Sequence, residues 1–307
     1  MTIGIVSHPA CAGHEMGDYH PESPARLGAI EDRLISTGLD FVLRHFEPEP
    51  VDPALLELVH NKDYIESIFA QAPQEGTVVL DGDTSMCPKT LNAALLAAGS
   101  AVLAVDKVVA KEVSAAFCEV RPPGHHAERD KAMGFCLFNN VAVGAAYARQ
   151  QYGIERIAIL DFDVHHGNGT QDFVSDKDGY LFCSTFQHPL FPFSGTEPHP
   201  DHIINTPLEA TASSTEFREA VERDWLPALH RFQPQMVFIS AGFDAHAEDD
   251  MSQVRLYESD YLWVTQQIRA IADQYAEGRI VSVLEGGYSL DALGRSVVAH
   301  LNGLIGK

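Results

Sequence analysis

From residue 113 onward the chain alternates short apolar runs with stretches of helical spacing, and this alternation restricts the fold more than any other feature. The apolar runs cover residues 113–118, 157–160, 180–184, 236–240 and 280–284, and helical stretches at 141–152, 215–232 and 259–275 separate most of them. A strand that is apolar throughout is buried on both faces, and strands that alternate with helices make a parallel sheet with helices packed on each side. In such sheets ligands bind beyond the carboxyl ends of the strands. Four of the five runs lead almost directly into unusual polar chemistry: Arg121-Pro122-Pro123-Gly124-His125-His126, Asp161 through His166, Gly242-Phe243-Asp244-Ala245-His246, and Glu285-Gly286-Gly287-Tyr288. Core packing does not explain four such coincidences, so one shared active site is expected at that edge of the sheet.

The first part of the chain is less regular. Ile3-Gly4-Ile5-Val6 reads as a strand that ends at His8-Pro9. After a loop rich in Gly, His and Cys, Ser23-Pro24 reads as the start of a helix with Leu27, Ile30 and Leu34 on one face and Gly38 at its end. Asp52-Pro53 starts another helix, and residues 90–111 form a long Ala- and Leu-rich one expected to be buried. No linker, low-complexity segment or internal repeat divides the chain, so residues 1–307 are expected to form a single catalytic domain.

Hydrophobic residues make up 45% of the sequence, enough for a sizeable core. Lys and Arg number 21 against 43 Asp and Glu, a net charge of −22 that argues against nucleic acid or an anionic membrane as partner and permits a cationic substrate. No apolar run approaches the ~20 residues of a membrane span. The first residues lack the basic and apolar regions of a signal peptide. The five cysteines form no Cys-x-x-Cys pair, which points to a reduced, cytoplasmic protein.

The stretch from Ile157 to Thr170 carries the densest chemistry. Side chains two apart on an extended strand share a face, which aims Asp161, Asp163 and His165 the same way. Two carboxylates and an imidazole suit a divalent ion of the zinc, iron or cobalt kind. The same residues would also make a self-satisfied Asp/His cluster at a strand end, and spacing alone leaves both readings open.

The motifs taken together resemble a known family. Arg-Pro-Pro-Gly-His-His-Ala at 121–127, Gly-Phe-Cys-Leu-Phe-Asn-Asn at 134–140, Asp-Phe-Asp-Val-His-His-Gly-Asn-Gly-Thr at 161–170, Ser-Ala-Gly-Phe-Asp-Ala-His at 240–246, Glu-Gly-Gly-Tyr at 285–288 and His-Pro-Glu-Ser-Pro-Ala-Arg-Leu at 20–27 are similar to the zinc-dependent histone deacetylases. The likeness is strongest to the class II branch and its bacterial amidohydrolase relatives, which include acetylpolyamine amidohydrolases. The resemblance implies an α/β arginase/deacetylase fold with a central parallel sheet of about eight strands flanked by helices on both faces.

Carried over residue by residue, the resemblance implies one zinc ion per chain held by Asp163, His165 and Asp244, a three-ligand set that leaves a coordination position open. Tyr288 is expected to donate to the developing oxyanion. His126 is expected to move protons, with His125 held against Asp161. Class I enzymes carry Asp where Asn168 stands here, and a neutral amide supports an imidazolium less, so a less basic His126 is expected. Phe135, with Gly134, and Phe191 correspond to the walls of a substrate tunnel. Phe193 is the alternative second wall, because its motif is off the family pattern by one residue. Arg26 matches a residue lining an internal acetate channel, and a structural salt bridge explains it nearly as well. Asp83 corresponds to a residue that bonds the substrate backbone. Potassium is implied near Asp161, Asp163, His165, Ser184 and Thr185. At the rim, Asp249-Asp250-Met251-Ser252 replaces the usual Asp-Pro-Leu-Gly, which puts borrowed substrate preferences in doubt.

The expected activity is therefore zinc-dependent removal of acetyl or other acyl groups from acyl-lysine, acetylated polyamines or small amines. An arginase-like hydrolase would need a second manganese and further ligands. A catalytically weak acyl-lysine binder would lack Tyr288 or the histidine pair. A homo-oligomer is compatible with all three readings.

Overall fold

The computed structural model describes residues 2–306. Its strands are β1 (Ile3–Ser7), β2 (Arg44–Phe46), β3 (Val78–Val79), β4 (Ser85–Met86), β5 (Ala115–Glu119), β6 (Ile157–Asp161), β7 (Tyr180–Gln187), β8 (Ile203–Leu208), β9 (Met236–Ala241) and β10 (Ile280–Leu284). Eight of them form one sheet in the order β2-β1-β5-β10-β9-β6-β7-β8, while β3 and β4 make a separate antiparallel pair. Every pairing in the large sheet is parallel. This is the expected architecture, and the five apolar runs are its central strands: every residue of β5, β6, β7, β9 and β10 is buried.

The helices are α1 (Ala25–Thr37), α2 (Pro53–Leu56), α3 (Lys62–Gln71), α4 (Thr90–Val109), α5 (Asn140–Tyr152), α6 (Asn168–Val174), α7 (Ser214–Ala220), α8 (Leu226–Phe232), α9 (Glu258–Tyr275) and α10 (Leu290–Ile305). Helices α1, α9 and α10 pack together as one group and α4 and α5 as another, flanking the sheet. The predicted helix at 215–232 is two short α segments joined by a π turn, Val221–Trp225. Pro227 explains the break, since it has no N–H to give to the preceding turn.

Several elements differ from the sequence reading. The helix at Asp52-Pro53 spans one turn only, and the longer α3 follows it. The edge strands β2 and β8 and the helix α10 were not expected. β2 is three half-buried or exposed residues, and β8 has mixed burial and contains Pro207, so neither carries the apolar signature of the central strands. Contrary to the expectation that no apolar stretch approaches a membrane span, α4 is long and apolar enough to cross a membrane. Its apolar residues are instead spent on the core, against α5, β1, β5 and β10.

Candidate active site

The four strands that precede the polar motifs lie side by side, in the order β5-β10-β9-β6. Asp161 is paired with Ser240, Ala241 with Leu284, and Val283 with Cys118, so the four loops leave the sheet at one level. Distant stretches of sequence thereby meet at a single edge.

The β6 strand ends at Asp161, and the chain turns before Asp163. Asp161, Asp163 and His165 are therefore not one ligand set. The Asp161 Oδ2 lies 2.9 Å from His125 Nδ1 instead. Asp163, His165 and Asp244 bring their ligand atoms within 4.8 Å of one another, and all three are buried. His165 Nδ1 is 3.2 Å from Asp163 Oδ1 and 3.0 Å from Asp244 Oδ2. The carboxylates are held in turn by main-chain donors: Gly286 N–H to Asp163 Oδ2 at 2.8 Å, His165 N–H to Asp163 Oδ1 at 2.9 Å, and Val164 N–H to Asp244 Oδ1 at 2.9 Å.

The electrostatics of this donor set fit a cation. Burial and the nearby Asp163 carboxylate push Asp244 up to about 6. Burial opposes a charged His165, yet its bonds to Asp163 and Asp244 raise it to about 10. Two carboxylates crowded in a buried site call for positive charge between them; a protonated His165 supplies it here, and a divalent ion held by the three residues would supply more. Gly286 makes room for this crowding: a Cβ there would lie 2.2 Å from Asp244 Oδ2 and 2.7 Å from Asp163 Oδ2.

Beside this cluster stand the two histidines, with ring centroids 4.0 Å apart. Burial works against a charged His125, but Asp161, Asp163 and Glu285 around it raise its pKa well above the ordinary value. His126 is lowered well below its ordinary value, first by burial and then by the neighbouring His125 and His165. Burial is the main cause, and the bond from His126 Nδ1 to Asn168 Oδ1, at 2.8 Å, acts the other way. Gly134 has φ +56°, and a Cβ on it would sit 2.4 Å from the His126 ring, so only glycine allows the chain to pass this close.

Phe135 and Phe191 flank the approach. Phe191 stands edge-on to His126, with ring centroids 5.1 Å apart, whereas Phe193 is 70% exposed. Of the two candidates for the second wall, Phe191 is therefore the one that packs against His126 of the histidine pair. Phe135 stands edge-on to Tyr288, at 6.0 Å, and to His20, at 4.7 Å. Burial and the carboxylate of Asp244 raise the Tyr288 hydroxyl well above its ordinary pKa, so it remains a donor even in alkaline solution. Asp83 turns toward the loop of Gly134 and Phe135: its Oδ1 accepts from Gly134 N–H at 3.1 Å and from Thr84 Oγ1 at 2.8 Å.

Arg26 lies beneath Tyr288, its guanidinium carbon 5.1 Å from the ring centroid. It donates from Nε to Gly287 O at 2.7 Å, from Nη2 to Glu285 O, and from Nη1 to Glu22 Oε1 at 3.1 Å. The salt-bridge expectation for Arg26 is met, and the same side chain braces the loop that carries Tyr288. Ser184, cross-strand partner of Asp161, and Thr185 are both buried, and Ser184 Oγ lies 3.2 Å from His166 Nδ1.

Sequence reasoning named some supporting residues without giving them a role. Glu285 accepts from Gly124 N–H at 2.7 Å, His125 N–H at 3.1 Å and Ser240 Oγ at 3.0 Å, so it ties the histidine loop to β9 and β10. Burial pushes its carboxyl up to about 7. Asp249 accepts from Tyr288 N–H at 2.6 Å and Ser289 N–H at 2.9 Å, which clasps the Tyr288 loop to the loop of Asp244. A charged residue directly after an apolar run, as at Glu285, was the available signal.

Comparison with known proteins shows the family and the fold. The model of the family described as "Histone deacetylase domain" matches residues 20–304. The "Histone deacetylase-like amidohydrolase" of Pseudomonas aeruginosa is 37% identical over 311 residues, covering 98% of this chain and 80% of that protein. The "Type-2 histone deacetylase 2" of Dictyostelium discoideum is 34% identical over 353 residues, but this chain spans only 21% of that protein's length. Among solved structures, the "HDA15 HD domain" superposes with a TM-score of 0.94 at 29% identity, over 100% of this chain and 88% of that one.

Proposed function

The chain belongs to the histone deacetylase domain family of deacetylases and amidohydrolases, and from that premise we propose that it is a zinc-dependent enzyme that hydrolyses the amide of an acylated primary amine. The observation that carries the proposal is the convergence of Asp163, His165 and Asp244 beside the His125–His126 pair and Tyr288, below two aromatic walls. The substrates in view are acetyl-lysine in peptides and acetylated polyamines or other small amines.

Asp163, His165 and Asp244 would hold the zinc ion. When bound, zinc supplies Lewis acidity to the amide carbonyl and to water. Phe135 and Phe191 align and desolvate the apolar stem of the substrate. His126 donates its Nδ1–H to Asn168 Oδ1, so Nε2 keeps its lone pair and takes the proton of the attacking water. The same nitrogen then returns the proton to the leaving amine. His125, charged and bonded to Asp161, adds positive charge at the reacting centre. Tyr288 donates its hydroxyl hydrogen to the oxyanion as the carbonyl becomes tetrahedral. A potassium ion beside Asp161, Ser184 and Thr185 belongs to the same reading.

Metal content and turnover test the proposal together. The protein as purified is expected to hold one zinc per chain and to hydrolyse an acetyl-lysine peptide or an acetylpolyamine. Asp244→Asn should lose metal and activity in parallel, since it removes a charged ligand from a three-ligand site. A protein with full zinc that releases acetate from neither substrate class would overturn the activity. An Asp244→Asn variant with full zinc and full turnover would overturn the ligand assignment.

A further inference from the structure

Behind His126 the chain carries a third member of the proton-handling chain. Asn168, the first residue of α6, places Oδ1 2.8 Å from His126 Nδ1. Its Nδ2 lies 2.7 Å from Glu128 Oε1, 3.3 Å from Met133 Sδ and 3.4 Å from His126 O. Every group around Nδ2 is an acceptor, so the amide has one satisfied orientation, and the bond to the carboxylate is the shortest of the three. We propose that Glu128 is a positioning residue that locks the Asn168 amide and thereby sets the tautomer of His126. The proposal rests on the reading of His126 as the proton acceptor.

The argument is one of donors and acceptors. With Oδ1 facing the ring, Nδ1 must carry the hydrogen, and Nε2 is left with the lone pair that a base needs. A flipped amide would present Nδ2–H to Nδ1. The ring hydrogen would then move to Nε2, and the ring could not accept a proton there. An amide is nearly symmetric in shape, so sterics do not prevent this flip; the acceptor at Nδ2 does.

The backbone of Glu128 is held for that task. His60 Nε2 accepts from Asn139 N–H at 2.9 Å, so its Nδ1 donates to Glu128 O at 2.9 Å. Asn61 N–H donates to Arg129 O at 2.7 Å. Arg129 in turn binds Asp172 of α6 through its own N–H, at 2.9 Å, and its Nε, at 3.0 Å. The loop of Glu128 and the helix of Asn168 therefore keep one register. A carboxylate at position 168 would have no amide to orient, and it would meet Glu128 as a like charge.

The test uses zinc-loaded protein labelled with 15N on its histidines, with His126 assigned by its disappearance in His126→Ala. The wild type is expected to show His126 protonated at Nδ1, and Glu128→Ala to show a substantial Nε2-protonated fraction. In kinetics, Glu128→Ala should lower kcat by about tenfold or more with KM changed by less than about twofold. Glu128→Gln keeps an acceptor oxygen and should recover most of that loss. Asn168→Asp should be impaired in the wild-type background and markedly less so together with Glu128→Gln, a non-additive cycle. A pure Nδ1–H tautomer in Glu128→Ala, or kcat unchanged in that variant, would overturn the proposal; so would an Asn168→Asp defect of equal size in both backgrounds. The spectroscopic arm needs no substrate. A wild type that hydrolyses no acyl amine therefore counts against the proposed function, while the tautomer result speaks to Glu128 alone.

Discussion

At the scale of single residues, Tyr288 shows how several weak constraints make one defined donor. Its ring packs against both the Arg26 guanidinium and the Phe135 ring. Its main-chain N–H is clasped by Asp249 at 2.6 Å, and its hydroxyl stays protonated because burial and Asp244 penalise the phenolate. A bond made mainly in the transition state affects kcat rather than binding. Tyr288→Phe is therefore expected to keep its zinc and its KM and to lose roughly 10²–10³ in kcat, the usual loss for one oxyanion donor. Steady-state kinetics with metal analysis checks this. A raised KM with kcat intact would mean that the hydroxyl only binds substrate.

At the scale of elements, the start of α1 is fastened to the active-site loops by buried charge. Glu22 takes Arg26 Nη1 at 3.1 Å, Arg121 Nη2 at 2.7 Å and Arg121 Nε, while His14 Nε2 lies 3.4 Å away. Burial alone would raise this carboxyl, but Arg121, His14 and Arg26 outweigh it and hold it at about 2. A carboxylate depressed from 4.5 to about 2 on folding adds stability that is fully present above pH 4.5 and is lost as pH falls toward 2, about 3 kcal/mol in all. Glu22→Gln should therefore lower the melting temperature at pH 7, with the deficit against wild type shrinking steadily below pH 4.5. Thermal denaturation across that range checks the sign. A deficit independent of pH would assign the loss to packing.

At the scale of the whole molecule, the charge of −22 bears on which acyl amine is bound. Asp250 stands exposed in the loop that carries Asp244, whereas Asp83 is engaged with Gly134 N–H, so Asp250 is the cleaner probe of any field at the candidate site. Exposed charges act over about a Debye length, ~10 Å at 0.1 M salt. An acetylpolyamine keeps ammonium groups that an acidic field would attract, and a neutral acetyl-lysine peptide does not. For the polyamine, kcat/KM is expected to fall as salt rises, with a weaker dependence in Asp250→Asn; for the peptide it should stay flat. Equal salt responses for both, unchanged in Asp250→Asn, would show that the charge serves solubility alone.

The central strands and the candidate site residues were legible in the sequence. A strand buried on both faces must be largely apolar, as Ile157–Leu160 and Ile280–Leu284 are, and bursts of ligand-type side chains after four such runs mark one edge of the sheet. Local spacing could not decide which of these side chains meet. The alternation rule grouped Asp161 with Asp163 and His165, but β6 ends at Asp161, and only the placement of β9 next to β6 brings Asp244 to the other two. The choice of Phe191 over Phe193, the bracing of Tyr288 by Arg26 and Asp249, and the link from Glu128 through Asn168 to His126 likewise belong to tertiary structure. Each is a contact between loops far apart in sequence. Periodicity reports which face of an element is buried, and carries no information on what that face will touch.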